Sequence, residues 1–185
     1  MKKSILTFVV VSLLAINGFS QNDKLVTKTG HISFFSHTVA EDITANNYAV
    51  TSTLNPSTGE AVFSVPLQSF EFEKALMQKH YNSDKFLDTK QFPKAKFKGT
   101  ISNISDIDFS KDGTYDASIN GELTMHGVTN PVIESGSIRV AGDKIMLDSK
   151  IDITLADYQI AFDKGKPSTN IAKTVVATIK AEYTK

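Results

Sequence analysis

"YDASINGELTMHGVTNPVI", Tyr115 to Ile133, decides what kind of protein this chain makes. Tyr115, Ala117, Ile119, Gly121, Leu123 and Met125 alternate with Asp116, Ser118, Asn120, Glu122 and Thr124. That period of two places apolar groups on one face of a strand and polar groups on the other. The alternation stops at Gly127 and resumes after Pro131, which predicts a turn over His126 to Pro131. Gly127 would supply the backbone freedom and Pro131 the fixed re-entry. Thr124, His126 and Thr129 then read as groups that bond the backbone around a corner, not as a catalytic cluster.

The same pattern recurs outward from this stretch. "AVFSVPL" aligns Ala61, Phe63, Val65 and Leu67, and "AKFKGTI" aligns Ala95, Phe97, Gly99 and Ile101. "IMLDSKIDITL" aligns Ile145, Leu147, Ile151, Ile153 and Leu155 with Ser149 interrupting, and "TVVATIKAEY" aligns Val175, Ala177, Ile179, Ala181 and Tyr183. "HISFFSHTV" and "YAVTSTL" add earlier strands, the former with two histidines and the look of a sheet edge. "NPSTGE", "KDGT" and "AGDK" are turn signals between runs, so neighbouring strands run antiparallel. About eight strands in one meander predict an all-β fold: an antiparallel barrel whose apolar face becomes the interior. Phe72 to Pro93 breaks the pattern with Leu76, Met77, His80 and Tyr81 at helical spacing, predicting one or two short inserted helices. "KGKPSTN", Lys164 to Asn170, is the best candidate for a mobile loop.

Small inward residues (Ala95, Gly99, Ala117, Gly121, Ala177 and Ala181) favour a vacant lumen. The alternative is a tapered core in which they seat Phe34, Phe63 and Phe97.

The chain has 185 residues, 41% hydrophobic and 22% charged, enough for one domain with its own core. It has no cysteine, which excludes disulfides, thiol catalysis and a cysteine-linked lipid anchor. "MKKSILTFVVVSLLAINGFSQ" has the order of a secretory signal: Lys2 and Lys3, an apolar run, then small residues. The expected division is a signal peptide over 1–20, cut after Ser20, and one domain over 21–185 in the periplasm or outside the cell. An uncleaved N-terminal anchor is the alternative. Cleavage would leave 18 basic against 20 acidic residues, interspersed, so nucleic acid is not an expected partner. No second long apolar segment would hold the mature chain in a membrane.

His31, His37, His80 and His126 form no metal-ligand spacing, and neither a GxSxG elbow nor a P-loop occurs. No metal or cofactor is expected. A hydrolase built on His80 or His126 with nearby carboxylates is the enzyme reading, and no acid–base pattern supports it.

Two segments resemble the YceI-like family of secreted, lipocalin-like lipid-binding proteins. "GELTMHGVTNPV" is similar to that family's G-x-L-T-apolar-H-G-V-T hairpin. "KHYNSDKFLDTKQFPKAKFKG" is similar to its second motif through His80, Ser83, Phe86, Asp88, Phe92, Pro93, Ala95 and Phe97. Gln78 and Lys79 stand where the family usually has an arginine, and "GHISFFSHTVAEDI" lacks its usual first-strand pattern. The resemblance implies an eight-stranded barrel with a helical insertion at its mouth, no catalytic residues, and an apolar ligand such as a polyisoprenoid or isoprenoid quinone.

On that footing the expected wall of the site is Phe34, Phe63, Val65, Phe97, Ile119, Leu123, Met125, Leu147, Ile151 and Ile153. Leu76, Met77, Phe86 and Phe92 are expected at the mouth, with His80, Tyr81 and Asp84 orienting a head group. Three functions stay open: an apolar-ligand carrier or store, a structural or interaction module with a filled barrel, and the hydrolase. Self-association as a homodimer is compatible with each.

Overall fold

The computed structural model describes residues 24–38, 42–160, 162–163, 166–167 and 172–185; the expected signal segment lies outside them. In chain order the strands are β1 (Leu25–His37), β2 (Asp42–Leu54), β3 (Glu60–Pro66), β4 (Glu71–Phe72), β5 (Lys94–Ile101) and β6 (Gly113–Met125). They continue as β7 (Val128–Ala141), β8 (Lys144–Thr154), β9 (Phe162–Asp163), β10 (Lys166–Pro167) and β11 (Thr174–Thr184). Helix α1 (Ala75–Asn82) lies between β4 and β5, so the inserted segment yields one α-helix among the described residues.

Eight long strands pair antiparallel in the cyclic order β1-β2-β3-β5-β6-β7-β8-β11. β1 bonds β11, with Phe34 opposite Ala177, and also bonds β2, with Phe34 opposite Ala45, which closes the ring. The expected eight-stranded antiparallel barrel is therefore the fold. Closure leaves β1 no free edge, so the edge-like reading of the strand with His31 and His37 is corrected. The short β4 extends β2, and β9 and β10 pair with each other. The segment expected as a mobile loop contains β10, and its other residues lie outside those described.

The connections gather at two ends. The β2–β3, β5–β6 and β7–β8 turns share one end with the C-terminus, here the base. The β1–β2 and β8–β11 connections, the β6–β7 hairpin and α1 share the other, here the rim.

The hairpin in the opening stretch is tighter than the sequence suggests. Only His126 and Gly127 form its turn, with φ of 52° and 77°, and Met125 pairs directly with Val128. Two successive positive-φ residues match the twist of the flanking strands, and histidine tolerates that conformation better than most side chains. Pro131 does not end the turn; it lies inside β7 opposite Glu122. The hydroxyls of Thr124 and Thr129 meet across the strands at 2.7 Å. His126 Nδ1 donates to the Tyr158 carbonyl at 3.0 Å, and its ring meets Phe92 edge to face at 4.6 Å. These contacts fasten a corner.

The base is densely filled. Leu54, Ile138, Val140, Ile145 and Tyr183 are each at most 2% exposed and come from four different strands. Tyr183 on β11 reaches past β1 to Ser52 on β2, hydroxyl to hydroxyl at 2.7 Å. Burial pushes its phenol up to about 12, an effect the Ser52 hydrogen bond partly offsets.

Candidate apolar ligand site

Above the filled base the strands enclose a cavity of about 180 Å³ that reaches up to the rim. Its surface is built by the inward positions that period-two alternation delivers from seven strands, the six named next and β7. Phe63 and Val65 come from β3, Ala95 and Phe97 from β5, and Ile119, Leu123 and Met125 from β6. Leu147, Ile151 and Ile153 come from β8, Phe34 from β1, and Ala177 from β11. Phe63, Phe97 and Leu123 share one level of the wall, paired strand to strand, with the two rings 6.3 Å apart and tilted. All ten expected wall residues therefore lie on the cavity.

The glycines and alanines divide. Ala95 and Ala177 do leave room on the cavity, whereas Ala117 and Ala181 are buried off it. Gly99 and Gly121 are paired neighbours, and the tip of the Phe97 ring lies 2.5 and 2.6 Å from where their Cβ atoms would stand. There the glycines seat an aromatic ring, so the tapered-core reading is right at these two positions.

The rim is an aromatic cluster. Tyr81, the one buried residue of α1, has the rings of Phe34, Phe70, Phe72 and Phe86 between 4.9 and 6.2 Å away. Burial among them drives the Tyr81 phenol upward. Tyr81, Phe86, Phe70, Leu67 and Leu87 reach the cavity.

The other mouth residues do not. Leu76 is 63% exposed, Met77 is half-buried, and His80 and Asp84 are exposed, all off the cavity. The reason is that α1 is only eight residues long and anchored through one side chain, so helical spacing alone overstates its buried face. Phe92 lies instead against His126, with its ring 2.9 Å from where a Gly127 Cβ would be. The expected head-group trio is thus not assembled: Tyr81 is inside, His80 and Asp84 outside.

Sequence reasoning missed part of the wall. Ile32, Val132, Leu155, Ile160, Val175 and Ile179 also line the cavity, as do the polar Glu134 and Ser149. Val132, Glu134, Gly136, Ile138 and Val140 alternate along β7, a signal that a turn at Pro131 conceals. No group of three metal-ligating side chains occurs among the described residues. Nor is any helix among them long and apolar enough to cross a membrane.

A closed antiparallel barrel around an apolar hollow defines the lipocalin-like class of fold. The chain belongs to the YceI-like domain family, which it matches over residues 21–183. A UPF0312 protein of Shewanella denitrificans is 31% identical over 121 residues, 62% of this chain and 60% of that relative. Protein YceI of Salmonella newport is 27% identical over 187 residues, covering 92% and 94% of the two chains. A polyisoprenoid binding domain from Saccharophagus degradans, implicated in plant cell wall breakdown, has the same fold. Its TM-score is 0.71 at 15% identity, over 88% of this chain and 98% of that one. Burkholderia cenocepacia BcnA gives 0.70 at 16% identity, over 83% and 95%. At such identities the likeness is one of fold.

Proposed function

We propose that this protein is a non-catalytic container that holds an isoprenoid-type lipid or quinone in its lumen, as a carrier or store in the periplasm or outside the cell. The observation that carries this reading is the hollow upper half of the barrel, walled by apolar side chains from every long strand but β2. The polyisoprenoid-binding domain of the same fold supports the choice of ligand class. Burial of hydrocarbon stabilises a complex by roughly 0.8 kcal/mol per CH₂ before ordering costs, about 4 kcal/mol for each five-carbon isoprene unit. Two or three units inside the lumen therefore suffice for useful affinity with no polar contact at all. The residues assigned to the ligand are the ten wall residues with Tyr81 and Phe86.

Organic extraction of the purified protein, followed by mass spectrometry, is expected to release a polyisoprenoid or quinone. Ala177→Phe, which drops a ring into the hollow beside Phe34, is expected to cut recovery at least tenfold while the fold persists. Repeated recovery of empty protein that takes up no added isoprenoid overturns the reading in favour of a filled structural module.

A further inference from the structure

Charge is spread unevenly along the chain. From Lys74 to Lys98 there are seven lysines and two acids, Asp84 and Asp88, a balance of +5 in a chain whose formal total is zero. The rest of the sequence therefore carries −5. In space this segment is one flank of the barrel: α1 at the rim, the loop after it, and β5 running from rim toward base. Backbone bonds fix the loop. The Asp88 N–H donates to the Ser83 carbonyl and the Phe92 N–H to the Asp88 carbonyl, each at 2.8 Å, and the Leu67 N–H donates to the Pro93 carbonyl at 2.9 Å. Lys79, Lys85, Lys90, Lys94, Lys96 and Lys98 are all exposed, and none has an ion-pair partner among the described residues. Little on the neighbouring strands neutralises the stripe on β5. Lys94 is registered opposite Pro66, Lys96 opposite Ser64 and Thr124, and only Lys98 has an acid, Glu122, across from it. The nearest acids before the segment, Glu71 and Glu73, belong to β4 and its exit, and β4 pairs with β2, not with β5.

Leu76 stands on the same flank, 63% exposed on α1. Lys79 and His80 follow it by three and four residues, so they share its side of the helix, and both are exposed. The other side of the helix seats Tyr81, which lines the cavity together with Phe86 and Leu87 of the loop. One short segment thus carries a positive outer surface, an exposed apolar side chain and part of the cavity wall. A cationic surface bearing an apolar side chain is complementary to an interface that is anionic outside and apolar within, the arrangement of a bilayer containing acidic phospholipids. A nucleic acid would engage the lysines and leave Leu76 in water. We propose that the α1–β5 flank is a docking surface for an anionic phospholipid bilayer, with the lysines on the head groups and Leu76 in the interfacial layer. The choice of a bilayer over an acidic protein rests on the container reading: docking by this flank brings the rim of the lumen to the source of an apolar ligand.

The test is co-sedimentation of the full chain with vesicles of phosphatidylcholine alone and of phosphatidylcholine mixed with phosphatidylglycerol. Binding is expected to the mixture only and to weaken as salt is raised. A lysine near an anionic surface strengthens binding about fivefold, so Lys79→Gln, Lys90→Gln and Lys94→Gln together are expected to weaken it at least tenfold. Lys28→Gln, Lys111→Gln and Lys180→Gln together remove the same charge from β1, the β5–β6 connection and β11, and are expected to weaken it less than about twofold. Leu76→Ser is expected to cost about threefold without changing the salt dependence. Every substituted side chain is exposed, so the folds should persist, which circular dichroism checks, and a shared N-terminus makes the two triple variants directly comparable. Equal binding to both kinds of vesicle, or equal losses in the two triple variants, overturns the proposal. Flank-dependent capture of polyglutamate without vesicle binding makes the partner an acidic protein and overturns it as well. Failure to dock by a protein that still yields an extractable lipid removes the docking surface alone, whereas empty protein that docks through this flank leaves the surface standing and removes the container.

Discussion

The two halves of the barrel are made from the same strands and the same alternation, yet one is solid and the other hollow. At the base, Leu54, Ile138, Val140, Ile145 and Tyr183 meet with almost no exposure. Toward the rim, Phe34, Phe97, Ile151, Ile153, Val175 and Ile179 occupy equivalent inward positions and remain half-buried around open space. The difference teaches that inward orientation and close packing are separate properties. Alternation delivers a side chain to the interior; whether it meets an opposing neighbour depends on what the other strands supply at that level. The base is also covered, with Ile107 of the β5–β6 connection buried, whereas the rim is bounded by a short helix resting on one tyrosine.

The largest effect that probes this contrast is at the base. Ile138→Ala removes a fully buried side chain from a filled layer and is expected to cost about 3–4 kcal/mol in urea unfolding followed by circular dichroism. Such a variant should still take up lipid per folded molecule. Uptake lost in proportion to stability would show that the halves are not independent.

Alkaline pH comes next. The folded-state Tyr183 phenol is held at about 12, above the ordinary 10, so the stability it contributes is complete below pH 10. It is lost as pH rises through 10 toward 12, by on the order of 3 kcal/mol. Melting temperature against pH should therefore fall along that arm, and Tyr183→Phe should make the fall shallower without abolishing it, because burial also raises the Tyr81 and Tyr158 phenols. Identical profiles for the wild type and Tyr183→Phe up to pH 12 would mean that water already reaches the base.

A smaller effect is expected in the hollow half. Ile153→Ala adds space to a cavity that exists already and leaves no newly stranded neighbours, so about 1 kcal/mol or less is expected. Equal costs at Ile138 and Ile153 would dissolve the distinction between the two ends. The smallest is Tyr81→Phe. No described residue hydrogen-bonds its hydroxyl, and the four surrounding rings remain, so stability should change by less than about 0.5 kcal/mol. A larger loss would place a polar partner at the rim.

The sequence alone settled the barrel and the identity of most of its wall. Period-two alternation in Tyr115–Met125 and its counterparts is a local property, written residue by residue, and the inward set follows once the strands close. It also marked Gly127 as the hairpin's pivot. What only the tertiary structure decided depends on relations between strands. Pro131 reads locally as a turn, but its place inside β7 follows from its register against Glu122. Leu76, Met77 and Phe92 have apolar character, but whether they meet the lumen is set by how α1 perches on Tyr81. Gly99 and Gly121 read as room, but a ring two residues from one of them fills it. The hollow arises where eight strands fail to supply atoms to the same place. Such an absence belongs to the assembled ring and to no single segment of it.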